Sequence, residues 1–67
     1  MIEIRVNGAA RQVSEGTTLA DLILELGLEP STVAVERNRE LVPRARCADT
    51  RIESDDRIEL VTLVGGG

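Results

Sequence analysis

The group with the plainest chemistry in this sequence is the carboxylate that closes the run Gly65-Gly66-Gly67. Each glycine loses more backbone freedom on ordering than any other residue. Three extended residues reach at most about 10 Å, enough to enter a partner's active site while a folded body stays outside. Without Cβ atoms they also pass a narrow channel. A carboxylate is a poor electrophile, so acyl transfer from Gly67 requires activation, most directly as an acyl-adenylate made from ATP. A sulfur nucleophile attacking that adenylate leaves a thiocarboxylate on Gly67, or a thioester where a partner cysteine attacks. The alternatives are a frayed end or an expression scar. Against them, the glycines follow at once on the strongest strand pattern in the sequence, with no polar residue beyond.

Other chemistry is poorly supplied. Cys47 stands in a sequence without histidine, so no imidazole can lower its pKa or take its proton, and it reads as a small buried or half-exposed thiol. Metal binding fails on the same shortage of ligands, with one cysteine and carboxylates in no recognisable loop spacing. Asp55-Asp56 reads as a turn rather than an acid-base dyad. Arg44 reads as pairing with a surface acid, the other reading being an anchor for a partner carboxylate. No residue is therefore assigned a catalytic role, and the class expected is a carrier acted on by other enzymes.

Charge and composition agree. The net charge is −4, every basic residue is an arginine interspersed with acids, and there is no Phe, Tyr or Trp. Nucleic-acid binding, which needs clustered cations and often stacking aromatics, is excluded; steering toward a basic protein surface fits, as does plain solubility. A single cysteine forms no internal disulfide. The opening Met1-Ile2-Glu3-Ile4-Arg5 has no leader pattern, and no run approaches the roughly 20 apolar residues of a membrane helix. The expected location is cytoplasmic.

The elements that must position the tail are legible in the periodicity. Ile2, Ile4 and Val6 alternate with Glu3 and Arg5 as a strand with one buried face. Asn7-Gly8 favours a tight hairpin, returning through Ala10 to Val13. Thr18-Leu19-Ala20-Asp21 predicts a helix start with Thr18 as cap. Leu19, Leu22, Ile23 and Leu26 then share one face of a two- to three-turn helix, ended by Gly27 and Pro30. Val33 to Glu36 is a third strand, Asn38-Arg39-Glu40 a turn and Leu41-Val42 a short strand stopped at Pro43. From Arg44 to Asp56 the pattern is irregular, a loop or short helical turn. Arg57 to Val64 is the last strand.

This order predicts an α+β fold, a mixed four- to five-stranded sheet gripping one helix in the β-grasp arrangement. Residues 1–64 form the domain and 65–67 a flexible tail. If Ile58 and Leu60 face the helix, Val61 and Leu63 point to the other face of the sheet. There they form either a docking patch, extended by Ala34 and one of Leu41 or Val42, or a surface covered by the loop from Arg44 to Asp56.

Through Val35-Glu36-Arg37-Asn38-Arg39-Glu40-Leu41-Val42-Pro43-Arg44 and the closing Arg57 to Gly67, the sequence resembles the ThiS family of sulfur carriers in thiamin biosynthesis. The likeness includes the opening strand, the Asn-Gly turn and the Thr-Leu-Ala-Asp-Leu helix start. It implies a ubiquitin-like fold and a Gly67 that an E1-like adenylyltransferase activates with ATP. A persulfide donor then supplies sulfur, and the thiocarboxylate goes to thiazole synthase. Gly66 completes the diglycine, Gly65 is an extra that some members show, and no bound cofactor is implied. The small subunit of molybdopterin synthase, a fold relative that also ends in diglycine, is the alternative carrier; a non-covalent β-grasp interaction module is the alternative of another class.

Overall fold

Strand alternation and one short amphipathic helix build the molecule, seen here in a computed structural model that describes residues 1–63. In β1 (Ile2–Val6) Ile4 is fully buried while Glu3 and Arg5 face solvent. Asn7 and Gly8 both take positive φ, 50° and 86°, as a tight hairpin turn needs. The chain returns as β2 (Ala9–Val13), paired antiparallel to β1 with Ile2 opposite Val13.

Helix α1 (Leu19–Glu25) begins with a reciprocal cap. The Thr18 hydroxyl accepts the Asp21 N–H at 3.1 Å, and the Asp21 carboxylate accepts the Thr18 N–H at 3.1 Å. Leu19, Leu22 and Ile23 are buried against the sheet. The end has the hydrogen bonds of a Schellman motif: Gly27 N–H donates to Leu24 C=O and Leu28 N–H to Ile23 C=O, with Gly27 at φ 76°. The helix therefore stops at Glu25, two turns long, and Leu26 sits half-buried at its cap. Pro30, expected only to block helix, opens a 3₁₀ turn (Pro30–Thr32), for which its fixed φ is well suited.

Three further strands complete the sheet. β3 (Val33–Arg37) turns through Asn38 and Arg39, both at positive φ, into β4 (Glu40–Val42). Arg44–Cys47 forms the short helix α2, the helical alternative of the two read for this segment. Residues 48–56 then cross beside α1: Thr50 C=O accepts the Leu19 N–H, and Ile52 N–H donates to Thr17 C=O. β5 (Arg57–Thr62) closes the described fold; Val64, expected in the same strand, lies outside the described residues, as do Gly65, Gly66 and Gly67.

The sheet order is β2-β1-β5-β3-β4, so the first and last strands are neighbours in its middle. They run parallel, and every other pairing is antiparallel. The largest fully buried side chains are Ile4, Leu19, Leu22, Ile23 and Ile58, each worth roughly 1.5–3 kcal/mol of hydrophobic transfer.

Candidate functional site

What the fold positions is the C-terminal end of β5. Val33 faces Thr62, Ala34 faces Val61 and Val35 faces Leu60 across the antiparallel pair. Leu63 N–H donates to Thr32 C=O at 2.7 Å, so Leu63 and, two residues back, Val61 turn their peptide groups toward β3. Leu60 and Thr62 turn theirs the other way, toward β1. β1 has ended at Val6 by then, and the side chain of Asn7 takes its place. The Asn7 amide oxygen accepts the Leu60 N–H at 2.8 Å and its NH₂ donates to Leu60 C=O at 3.3 Å.

A second asparagine holds the start of the same strand from the opposite side. Asn38 accepts the Arg57 N–H at 2.9 Å and donates to the Asp56 carboxylate at 3.0 Å. Asp56, 5% exposed, also accepts Arg37 Nε at 2.7 Å and the Glu53 N–H at 2.8 Å. Burial alone would raise its pKa. The Glu53 N–H, the Arg37 guanidinium and the Asn38 amide together outweigh that and hold it below the ordinary aspartate value. Asp55, with φ 70°, makes the turn. The pair is thus a turn and a structural anchor.

Alternation then sorts β5 by face. Ile58 is buried and Leu60 half-buried on the helix side, whereas Val61 is 58% and Leu63 51% exposed on the open side. The segment 44–56 packs on the helix side and leaves them uncovered. On the neighbouring strands Ala34 is half-buried next to Val61, Leu41 is 69% exposed and Val42 packs against the core.

The remaining candidates fall away from this end. Cys47 is buried, with its Sγ 3.7 Å from Pro43 C=O, and desolvation pushes its thiol pKa up. Arg44, read as pairing with a surface acid, has no carboxylate within 4.0 Å among the described residues; the ion pairs there are Arg11–Glu25 and Arg37–Asp56. Its exposed place in the first turn of α2 puts no acid beside it. A hollow of about 480 Å³ bordered by Ile2, Glu15, Arg51 and Glu53 lies at the opposite end of the sheet from Leu63. Among the described residues no group of three or more His, Cys, Asp or Glu could hold a metal ion, and no helix is long and apolar enough to cross a membrane.

The mixed five-stranded sheet, with parallel first and last strands at its centre and a helix on one face, defines the ubiquitin-like β-grasp class. The ThiS family model matches residues 4–67, and the chain belongs to the ThiS family. It is 41% identical over 66 residues to a thiazole synthase of Magnetococcus marinus, covering 98% of this chain and 20% of that protein. The chain thus spans about a fifth of that relative's length. It is 35% identical over 65 residues to the sulfur carrier protein ThiS of Bacillus subtilis, covering 96% of this chain and 98% of that one. The crystal structure of the thiamine biosynthesis protein ThiS from Geobacter metallireducens superposes with a TM-score of 0.84 at 28% identity, covering 98% of this chain and all of that one.

Asn7, Asn38 and Asp56 were not singled out as functional by sequence reasoning. The signal was present only for a turn, since Asn-Gly and Asp-Asp both punctuate strands; which backbone groups their side chains would reach depends on the register of distant strands.

Proposed function

We propose that this chain is a sulfur carrier whose working group is the Gly67 carboxylate. An E1-like enzyme joins the carboxylate to the α-phosphate of ATP and releases pyrophosphate. The terminal sulfur of a persulfide donor attacks the acyl-adenylate and expels AMP, and a thiol then cleaves the resulting acyl disulfide, leaving a thiocarboxylate. Thiazole synthase receives that sulfur in thiamin biosynthesis. The partners hold the catalytic groups and the nucleotide, and Gly65 and Gly66 thread the tail into their active sites.

The observation that carries this reading is the family match through residue 67, together with a fold that anchors β5 from both sides and leads it toward those glycines. The thiazole synthase relative supports thiazole formation over molybdopterin synthesis as the destination, because its polypeptide includes a stretch like this whole chain. Val61 and Leu63, exposed on the open face at that end, are proposed as the docking patch for the large partners.

The test is intact mass after incubation with the adenylating enzyme, ATP and a persulfide donor. One oxygen of the chain is expected to be replaced by sulfur. Deleting Gly67, or adding one residue after it, should abolish the replacement with Tm unchanged, because the buried core lies between Ile4 and Ile58. An unchanged mass where the Bacillus carrier reacts, or full partner binding by a tailless variant with no sulfur transfer to the full-length chain, would leave only a non-covalent module.

A further inference from the structure

Arg5 of β1 and Arg57 of β5 are direct partners in the parallel ladder, so both side chains rise from the open face one strand spacing apart. Like charges placed opposite each other weaken a sheet. The chain has 12 acidic residues with which to avoid this, and it pairs Arg11 with Glu25 and Arg37 with Asp56. Neither Arg5 nor Arg57 has a carboxylate within 4.0 Å among the described residues. Glu3 and Glu59 lie on the same face two positions along, without closing on them. Arg5 spends one N–H on Gly8 C=O at 3.3 Å, which leaves most of its five donors free. Between the two strands the surface sinks into a depression of about 290 Å³ bordered by Arg5, Gly8, Arg57 and Glu59.

We propose that this arginine pair is the receptor for one carboxylate side chain, Asp or Glu, of the protein that docks on the open face. The proposal rests on the carrier reading above. A repulsion that no carboxylate among the described residues relieves is relieved when an anion enters between the guanidiniums, and their planar forks suit a carboxylate in bidentate fashion. A single carboxylate fits better than a phosphate, whose higher charge meets Glu59 at the rim and Glu3 and Asp55 on the other side of the pair. The pair shares the open face with the apolar patch, and Glu59, opposite Glu36, stands between them. Val61 is four residues from Arg57 along β5, about 13 Å at the usual strand rise, so both fall within the ~800 Å² one partner contributes to a standard interface. The apolar end supplies buried area and the arginine end supplies register and orientation.

Thiazole synthase from the same genome serves as the probe, with binding to immobilised wild-type, R5Q, R57Q, R57E and L63A chains followed at low and high salt. R5Q and R57Q should each weaken binding about tenfold, as expected for loss of a charge-assisted contact, and flatten its salt dependence. R57E is the decisive variant: it places an acid opposite Arg5, so Tm should rise or hold while binding falls by at least tenfold. Wild-type affinity in R57Q and R57E alongside weakened L63A overturns the arginine receptor and leaves the carrier reading standing. A fall in Tm matching the fall in affinity overturns it too, because a structural role then accounts for both. Absence of binding by every chain, wild type included, overturns the receptor together with thiazole synthase as partner, while the mass assay still judges sulfur acceptance.

Discussion

The side chain of Asn7 pairs with the peptide of Leu60, 53 residues away, as a strand neighbour would. With Val6 the β1 backbone runs out, and a carboxamide, which carries the same donor and acceptor as a peptide, prolongs the ladder by one rung. Asn tolerates the left-handed backbone the hairpin demands there, so one residue supplies both turn and rung.

Separating those two roles gives a first prediction. Asn7→Gly keeps the turn and loses the rung, costing about 1–2 kcal/mol for two hydrogen bonds on a partly exposed backbone. Asn7→Ala loses the rung and strains φ, and should cost about 1 kcal/mol more. Urea unfolding of both variants checks the order; no loss in Asn7→Gly would mean the amide contributes nothing beyond conformation, and equal losses would mean the strained φ costs nothing. Faster amide hydrogen exchange at Leu60 in Asn7→Gly is the local readout.

Asp56 gives a pH prediction. Its folded pKa is depressed, so its contribution to stability is fully present above the ordinary aspartate pKa of about 3.9 and is lost as pH falls through the lower folded value. In Asp56→Asn this part of the acid loss should vanish, and stability at neutral pH should drop by about 2–3 kcal/mol as Arg37 and the Glu53 N–H lose a charged acceptor. Denaturation midpoints from pH 7 down to about 2 test it; parallel curves for the two proteins would rule it out.

Thr18→Ala removes one half of the α1 cap and should cost about 1 kcal/mol. In a domain this small that lowers Tm by about 4–8 °C. Thr18→Ser, which retains the hydroxyl, should recover most of it.

Cys47 should be slow to react with a thiol-specific disulfide reagent at neutral pH and fast in urea, because burial both shields the sulfur and disfavours its thiolate. Rapid modification of the native chain would show that α2 opens readily.

Sheet and helix were readable because their signals are local. The alternation of Ile2, Ile4 and Val6, the Thr18–Asp21 cap and the Leu19, Leu22, Ile23 stripe each depend on neighbours within a turn or two. Element ends moved by a residue where hydrogen bonding decided them: Ala9 joins β2, Arg37 extends β3, and the Schellman bonds stop α1 at Glu25. The ring of contacts around Asp56 was not readable as an anchor. It requires Arg37 and Asn38 to meet the strand 19 and 18 residues on, and that meeting is set by the β3–β5 register. The arginine pair stayed hidden for the same reason, since positions 5 and 57 become neighbours only when the first and last strands lie side by side.

That central placement of β5 also determines how the domain bears load. A partner that grips the chain beyond Leu63 and pulls along the strand would slide β5 lengthwise between β1 and β3. The hydrogen bonds on both flanks resist such a pull together, rather than parting one after another as at a peeled edge. The body can thus be drawn tight against a partner without unravelling from the end by which it is held.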